Sequence, residues 1–256
     1  MSASTTAASM VSEQQPLSRG TRPGASRSVV HRVLAALLLL GALGYAGWTV
    51  EAFLPTGLSP LSSYVSELAA QDQPYGTFFR TVDFLAGLLV LAGAVGALVR
   101  RERREWWGTA GWAGLALFGA ATAVDARVLP LSCAPTADAG CAAREGAGDV
   151  PWTHSGHAFS SSLAVAGALV AMVLLTVAAR RSLGGAWAWP ALARGGPVLV
   201  VLELVATGWT LASVAAFEAG RGTWGLGVGQ RLQVLFIAVW IAVLAWSMAS
   251  SAARRG

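Results

Sequence analysis

Charge is scarce in this chain, and lysine is absent altogether. Only 12% of the 256 residues are Asp, Glu, Lys or Arg, about half of the roughly 25% found in an ordinary soluble domain. Hydrophobic residues make up 55%, and the mean hydropathy is +0.57. So little charge cannot cover the surface of a soluble fold of this length. Phosphate-loop and nucleophile-elbow signatures are missing too: there is no G-x-x-x-x-G-K and no G-x-S-x-G, so neither a nucleotide loop nor a serine nucleophile is read from motif alone.

What is present is a succession of apolar runs near 20 residues, each long enough to cross a hydrocarbon core of about 30 Å. They predict an all-α, polytopic membrane protein with six transmembrane helices at about 34–54, 77–99, 106–129, 152–179, 197–217 and 232–250. Residues 29–251 then form one six-helix transmembrane domain. Residues 1–28, rich in Ser, Thr, Ala, Gly and Pro and ending in Arg19, Arg22 and Arg27, read as a disordered basic cytoplasmic tail, and 252–256 as a second cytoplasmic tail. The first apolar run is too long for a signal-peptide core and is read as a retained helix. Its Gly41, Gly44 and Gly47 form a small-residue stripe suited to close helix packing.

The net charge of +5 points to orientation rather than to nucleic acid. All 18 basic residues are Arg, clustered at 100–104, 180–181 and 254–255 beside the apolar runs. Placing these clusters and the N-terminal tail inside puts both termini in the cytoplasm of a multi-pass plasma-membrane protein. The stretch from Asp125 to His157, which holds both cysteines and two of the three histidines, then lies outside. There a Cys133–Cys141 disulfide is permitted. The eleven Trp read mostly as interface anchors.

Residues 58–76 carry Leu61, Tyr64, Val65 and Leu68 at i, i+3, i+4 and i+7, which predicts a short amphipathic helix lying in the interface plane. In this topology Glu51, Glu67, Asp83, Asp125, His154, His157, Glu218 and Arg231 all collect toward the outer face. An ionisable residue inside a span faces the bundle and has a partner. The default expectation is therefore ion pairs of Asp83 or Asp125 with Arg231, Arg80 or Arg127. A sharper reading is a zinc site: His154 and His157 at i, i+3, with Asp125 or Asp83 as third ligand and water in the open position, serving a metal-dependent lipid hydrolase. Either histidine could instead be a hydrogen-bonding or pH-responsive group. Serines 155 and 160–162 follow, and serines in a span usually bond the carbonyl four residues back. Glu203, inside the fifth span, suggests proton-coupled or small-solute transport, although no repeat pair of the transporter kind is visible. It more simply pairs with a Thr, Trp or Arg neighbour.

Five features in order carry a resemblance: S-S-Y-V-S-E-L at 62–68, Asp83, Asp125, a histidine opening the fourth span, and G-x-G-Q-R at 227–231. Over about residues 30–250 the chain resembles the bacterial membrane family catalogued as domain of unknown function 998 (DUF998). It has a more distant likeness to DRAM/Frag-type six-span proteins. The resemblance implies a six-helix membrane protein and puts emphasis on Ser66, Glu67, Asp83, Asp125, His154 or His157, Gln230 and Arg231, without a mechanism. The leading expectation is a non-enzymatic bundle that binds membrane lipid or a partner in an outer polar pocket, lidded by residues 60–70.

Overall fold

The computed structural model describes residues 23–100, 105–182 and 189–253. It is helical throughout, with no strand among the described residues. Seven α-helices follow in order among the described residues: α1 (Pro23–Tyr45), α2 (Gly76–Val99), α3 (Trp106–Val128), the short α4 (Ala139–Gly146), α5 (Trp152–Arg181), α6 (Pro190–Glu218) and α7 (Leu226–Ala253). Two 3-10 helices, Gly47–Phe53 and Val65–Ala69, punctuate the chain between α1 and α2. The Arg cluster at 101–104, most of the tail and the terminal Arg254 and Arg255 lie outside the described residues. Helix α1 starts at Pro23, inside the stretch whose composition suggested tail.

The six long helices close into a ring in chain order. Helix α1 packs on α2, α2 on α3, α3 on α5, α5 on α6, α6 on α7, and α7 returns to α1. Leu38, Val90, Phe118, Met172, Leu175 and Trp240 fill its core. Small residues set the closeness of the ring. A Cβ on Gly41 would lie 2.6 Å from Val90 Cγ2 and one on Gly47 2.7 Å from Val82 Cγ1, so the predicted glycine stripe is the seam between α1 and α2. Between α2 and α3 the approach is backbone to backbone. A Cβ on Gly87 would meet the Gly119 carbonyl at 2.7 Å, and one on Gly119 would meet the Gly87 carbonyl at 2.7 Å.

Among the described residues, five helices are long and apolar enough to cross a membrane, namely the run Ser28–Phe53 together with α2, α5, α6 and α7. Helix α3 falls short on hydropathy because Trp, Gly and Thr crowd it, yet it has 23 residues and sits between α2 and α5. Its glycines serve packing: a Cβ on Gly111, Gly114 or Gly119 would meet α5 or α2 within 3 Å. Helix α6 begins at Pro190 and runs through Pro197, where the apolar pattern had suggested a start. Proline is tolerated there at the cost of one intrahelical bond. Trp112 and Trp240 are core residues rather than anchors; the Trp240 indole N–H donates to Thr176 Oγ1 at 3.2 Å. Trp106, Trp152, Trp224 and Trp246 are exposed.

The segment between α1 and α2 corrects an expectation. No amphipathic α-helix forms over residues 58–76; only Val65–Ala69 is helical, and it is 3-10. Leu68 is 2% exposed but Leu61 is 67% exposed, so the four apolar residues do not share a buried face. The physical reason is that neighbouring helices capture the backbone groups a helix would have paired internally. Arg231 Nη1 donates to the Ser63 carbonyl at 2.9 Å. Arg80 Nη1 donates to the carbonyls of Ala69 at 2.6 Å and Ala70 at 3.1 Å. Gln230 Oε1 accepts from Val65 N–H. Side-chain donors and acceptors thus replace the i→i−4 ladder, meeting the requirement that backbone groups near the apolar phase be satisfied. The segment is tied across the ring rather than lying beside it.

Candidate functional site

Beneath that segment lies a cavity of about 120 Å³. Val65, Ser66, Leu68 and Ala69 form its roof, so the lid expected over residues 60–70 is present as a strap rather than a helix. Asp83 and Arg80 from α2, Thr122 and Asp125 from α3, His157 and Ser161 from α5, and Gln230 and Gln233 from α7 supply its polar wall. Tyr45, Trp48, Phe79 and Leu131 complete it with apolar surface. Engineered apolar cavities of about 150 Å³ admit a benzene-sized molecule, so the space suits the polar end of a larger molecule and not its hydrocarbon.

The predicted polar cluster divides in two. Ser66, Asp83, Asp125, His157 and Gln230 reach the cavity. Glu67, His154 and Arg231 do not; they hold the walls together. Glu67 is fully buried and accepts from the Thr136 N–H at 2.7 Å and from the Thr136 hydroxyl, which ties the strap to the cysteine loop. Burial pushes the Glu67 carboxyl above the usual range, and the Thr136 hydrogen bonds oppose that shift. Gln71 N–H donates to the Leu131 carbonyl at 2.9 Å in the same seam.

His154 anchors the loop from the other side. Its Nδ1 accepts from the Ser132 N–H at 3.1 Å, which leaves Nε2 to carry the proton toward Glu145 Oε1 at 3.4 Å. The expected disulfide is present: Cys133 and Cys141 are bonded with their Cα atoms 6.0 Å apart. Helix α4, which composition did not signal, starts behind Asp138, whose carboxylate accepts from Gly140 N–H.

Arg231 corrects the expected pairing. It meets neither Asp83 nor Asp125; Nε and Nη2 each reach a Glu51 oxygen at 2.6 Å, a two-pronged ion pair with both side chains buried. Arg80 gives its guanidinium to lid carbonyls and to Thr77 Oγ1, and Arg127 is exposed. Asp125 associates instead with His157, whose Nδ1 lies 3.1 Å from Asp125 Oδ1, and it accepts from the Ser160 hydroxyl. Asp83 makes no hydrogen bond or ion pair among the described residues, although the charges of Asp125 and His157 act on it.

The donor set does not fit the zinc centre expected of His154 and His157. The two imidazoles point into separate networks, one on the Ser132 loop and the other on Asp125 and Leu129. Among the described residues, no three His, Cys, Asp or Glu side chains are grouped so as to hold a metal ion. Glu203 is completely buried on α6 and Thr207 donates to its Oε1 at 3.1 Å, the neighbour pairing expected of it. Gln233 Nε2 in turn donates to Thr207 Oγ1 at 2.8 Å. Gln233 lines the cavity, so a hydrogen-bonded chain links Glu203 to it. Reading the sequence missed Gln233, Thr122, Tyr45 and Trp48 as wall residues. Only Gln233, three positions after Gln230 on the same helix face, left a signal.

A ring of long apolar helices with a partly open cavity beneath the strap defines a multi-pass α-helical membrane protein. The chain belongs to the family described as protein of unknown function (DUF998), whose family model matches residues 38–247. No curated protein and no solved structure matches it.

Proposed function

We propose that this is a six-span protein of the plasma membrane, with both termini cytoplasmic, that binds the polar end of a membrane lipid in the cavity beneath the residue 60–70 strap. The cavity carries the reading. It is large enough for a headgroup, its wall mixes carboxylates, amides and aromatic faces, and the strap closing it is held by side chains rather than by its own helix. Membership of α3 in the ring supports a sixth span, and the bonded cysteines suit an outward-facing loop. A partly buried Asp83 without a hydrogen bond or ion pair among the described residues is a costly feature for a merely structural bundle.

The test is lipid extraction and mass spectrometry on protein purified in mild detergent, beside a Ser66→Phe variant that fills the cavity from its roof. Near-stoichiometric retention of one lipid class by the wild type, lost in a monodisperse variant, is the expected result. Equal, unselective lipid in both would refute it.

A further inference from the structure

The geometry points to Ser161 as a nucleophile toward a carboxylic ester of a membrane lipid, with His157 as its base; this rests on the lipid-cavity reading above. Three serines in a row sit one turn beyond His157, and they behave differently. Ser160 back-bonds to the Gly156 and His157 carbonyls and donates to Asp125. Ser162 back-bonds to the Ala158 carbonyl at 2.7 Å and is exposed, the ordinary habit of a helix serine. Ser161 does not back-bond. Its hydroxyl lies 3.3 Å from His157 Nε2 and 3.4 Å from Asp125 Oδ2, and it lines the cavity.

The protonation of the imidazole follows from its neighbours. Nδ1 faces two acceptors, the Leu129 carbonyl at 3.2 Å and Asp125 Oδ1 at 3.1 Å, so the neutral ring carries its hydrogen there. Nε2 is then a lone pair turned toward Ser161, the arrangement a serine nucleophile needs: base at the hydroxyl, acceptor behind the base. The nucleophile–base distance is loose, as it commonly is before substrate binds. No strand-turn-helix elbow is required, because positions i and i+4 of one helix supply the same juxtaposition. An independent feature points to an oxygen ligand. The Trp48 indole N–H is buried without an acceptor among the described residues, and Trp48 lines the same cavity. A substrate carbonyl oxygen is a fitting partner.

The chemistry balances with water as the only co-reactant. Ser161 Oγ forms a bond to the ester carbonyl carbon while its proton passes to His157 Nε2. The carbon–oxygen bond to the alcohol portion breaks, and that oxygen takes the proton from Nε2. Water then attacks the acyl-Ser161 carbonyl, giving its proton to Nε2, and the fatty acid leaves as Ser161 recovers its hydrogen. Asp125, beside Nδ1, stabilises the imidazolium at each transfer.

The test is reaction of the full-length protein in detergent with a long-chain alkyl fluorophosphonate, read by intact mass and peptide mapping, with lipid content measured on the same preparations. The wild type is expected to form one adduct, on Ser161. Ser161→Ala should form none. His157→Gln should slow labelling at least about 100-fold, the usual contribution of a general base, while Ser162→Ala labels as the wild type does. Absence of an adduct on wild-type Ser161, or equal labelling in Ser161→Ala, overturns the assignment. Retained lipid without an adduct sinks this inference and leaves the binding reading intact. An adduct on Ser161 in protein that retains no lipid sinks the binding reading instead, and the nucleophile stands.

Discussion

Arg231 and Glu51 make the sharpest stability prediction. Two guanidinium nitrogens meet two carboxylate oxygens at 2.6 Å, and both side chains are buried. A third nitrogen holds the Ser63 carbonyl in the lid at 2.9 Å. Removing one partner strands the other's charge in an environment with little water, a loss of roughly 3–5 kcal/mol for a buried pair. At roughly 2–4 °C per kcal/mol for a chain of this size, Arg231→Met and Glu51→Leu should each lower the thermal midpoint in detergent by about 6–20 °C. The double variant removes both charges together and should recover most of that loss. It should remain slightly below the wild type, because the Ser63 carbonyl is still orphaned. The assay is a thermal ramp followed by intrinsic fluorescence on all four proteins in one detergent. Single losses that simply add in the double variant would mean the pair has no coupling, and the account of Arg231 as a lid anchor neutralised by Glu51 would be wrong.

Glu67 predicts a pH dependence of definite sign. Its folded-state carboxyl is raised above the ordinary value of 4.5, so its contribution is fully present below that value and is lost as pH rises through the raised one. Glu67→Gln keeps the shape but cannot ionise. The wild type should therefore lose thermal stability relative to the variant as pH rises above 4.5; parallel curves would refute the burial argument. Gly119→Ala places a methyl 2.6 Å from the Leu91 nitrogen and 2.7 Å from the Gly87 carbonyl. Backbone atoms cannot rotate aside, so α2 and α3 must separate, at a cost of about 1–3 kcal/mol. An unchanged thermal midpoint would show that the two helices have slack the structure does not contain.

The coarse architecture was legible because the bilayer imposes it. Long apolar runs, the glycine stripe on α1 and the paired cysteines each follow from a constraint that acts on sequence locally. Residues 58–76 were misread for the complementary reason. Apolar spacing there matches a helix, but the backbone partners come from Arg80, Gln230 and Arg231, which lie elsewhere in the chain. Periodicity carries no information about such partners. The same holds for pairing: Arg231 lies near several acidic residues by topology, and only the placement of the Gly47–Phe53 turn, which brings Glu51 to Arg231, selects its partner.

Two demands act on the polar residues around the cavity. An irregular strap beside an apolar phase must have its carbonyls and amides satisfied from outside, which consumes Arg80, Gln230 and Arg231; Glu67 holds the cysteine loop to the strap and His154 holds it to α5. Once these are committed, the polar groups left without a full set of partners are the ones free to meet a ligand. Those that line the cavity are Asp83, the Trp48 indole N–H and the Ser161 hydroxyl, which has only its long contacts to His157 and Asp125; Glu203 Oε2 and Thr210 Oγ1 are likewise buried without a partner among the described residues and lie away from it. Of the three, the Trp48 indole N–H is both buried and unpaired among the described residues, at a cost of about 1–3 kcal/mol. Their position around one cavity is what the proposed binding and reacting site requires.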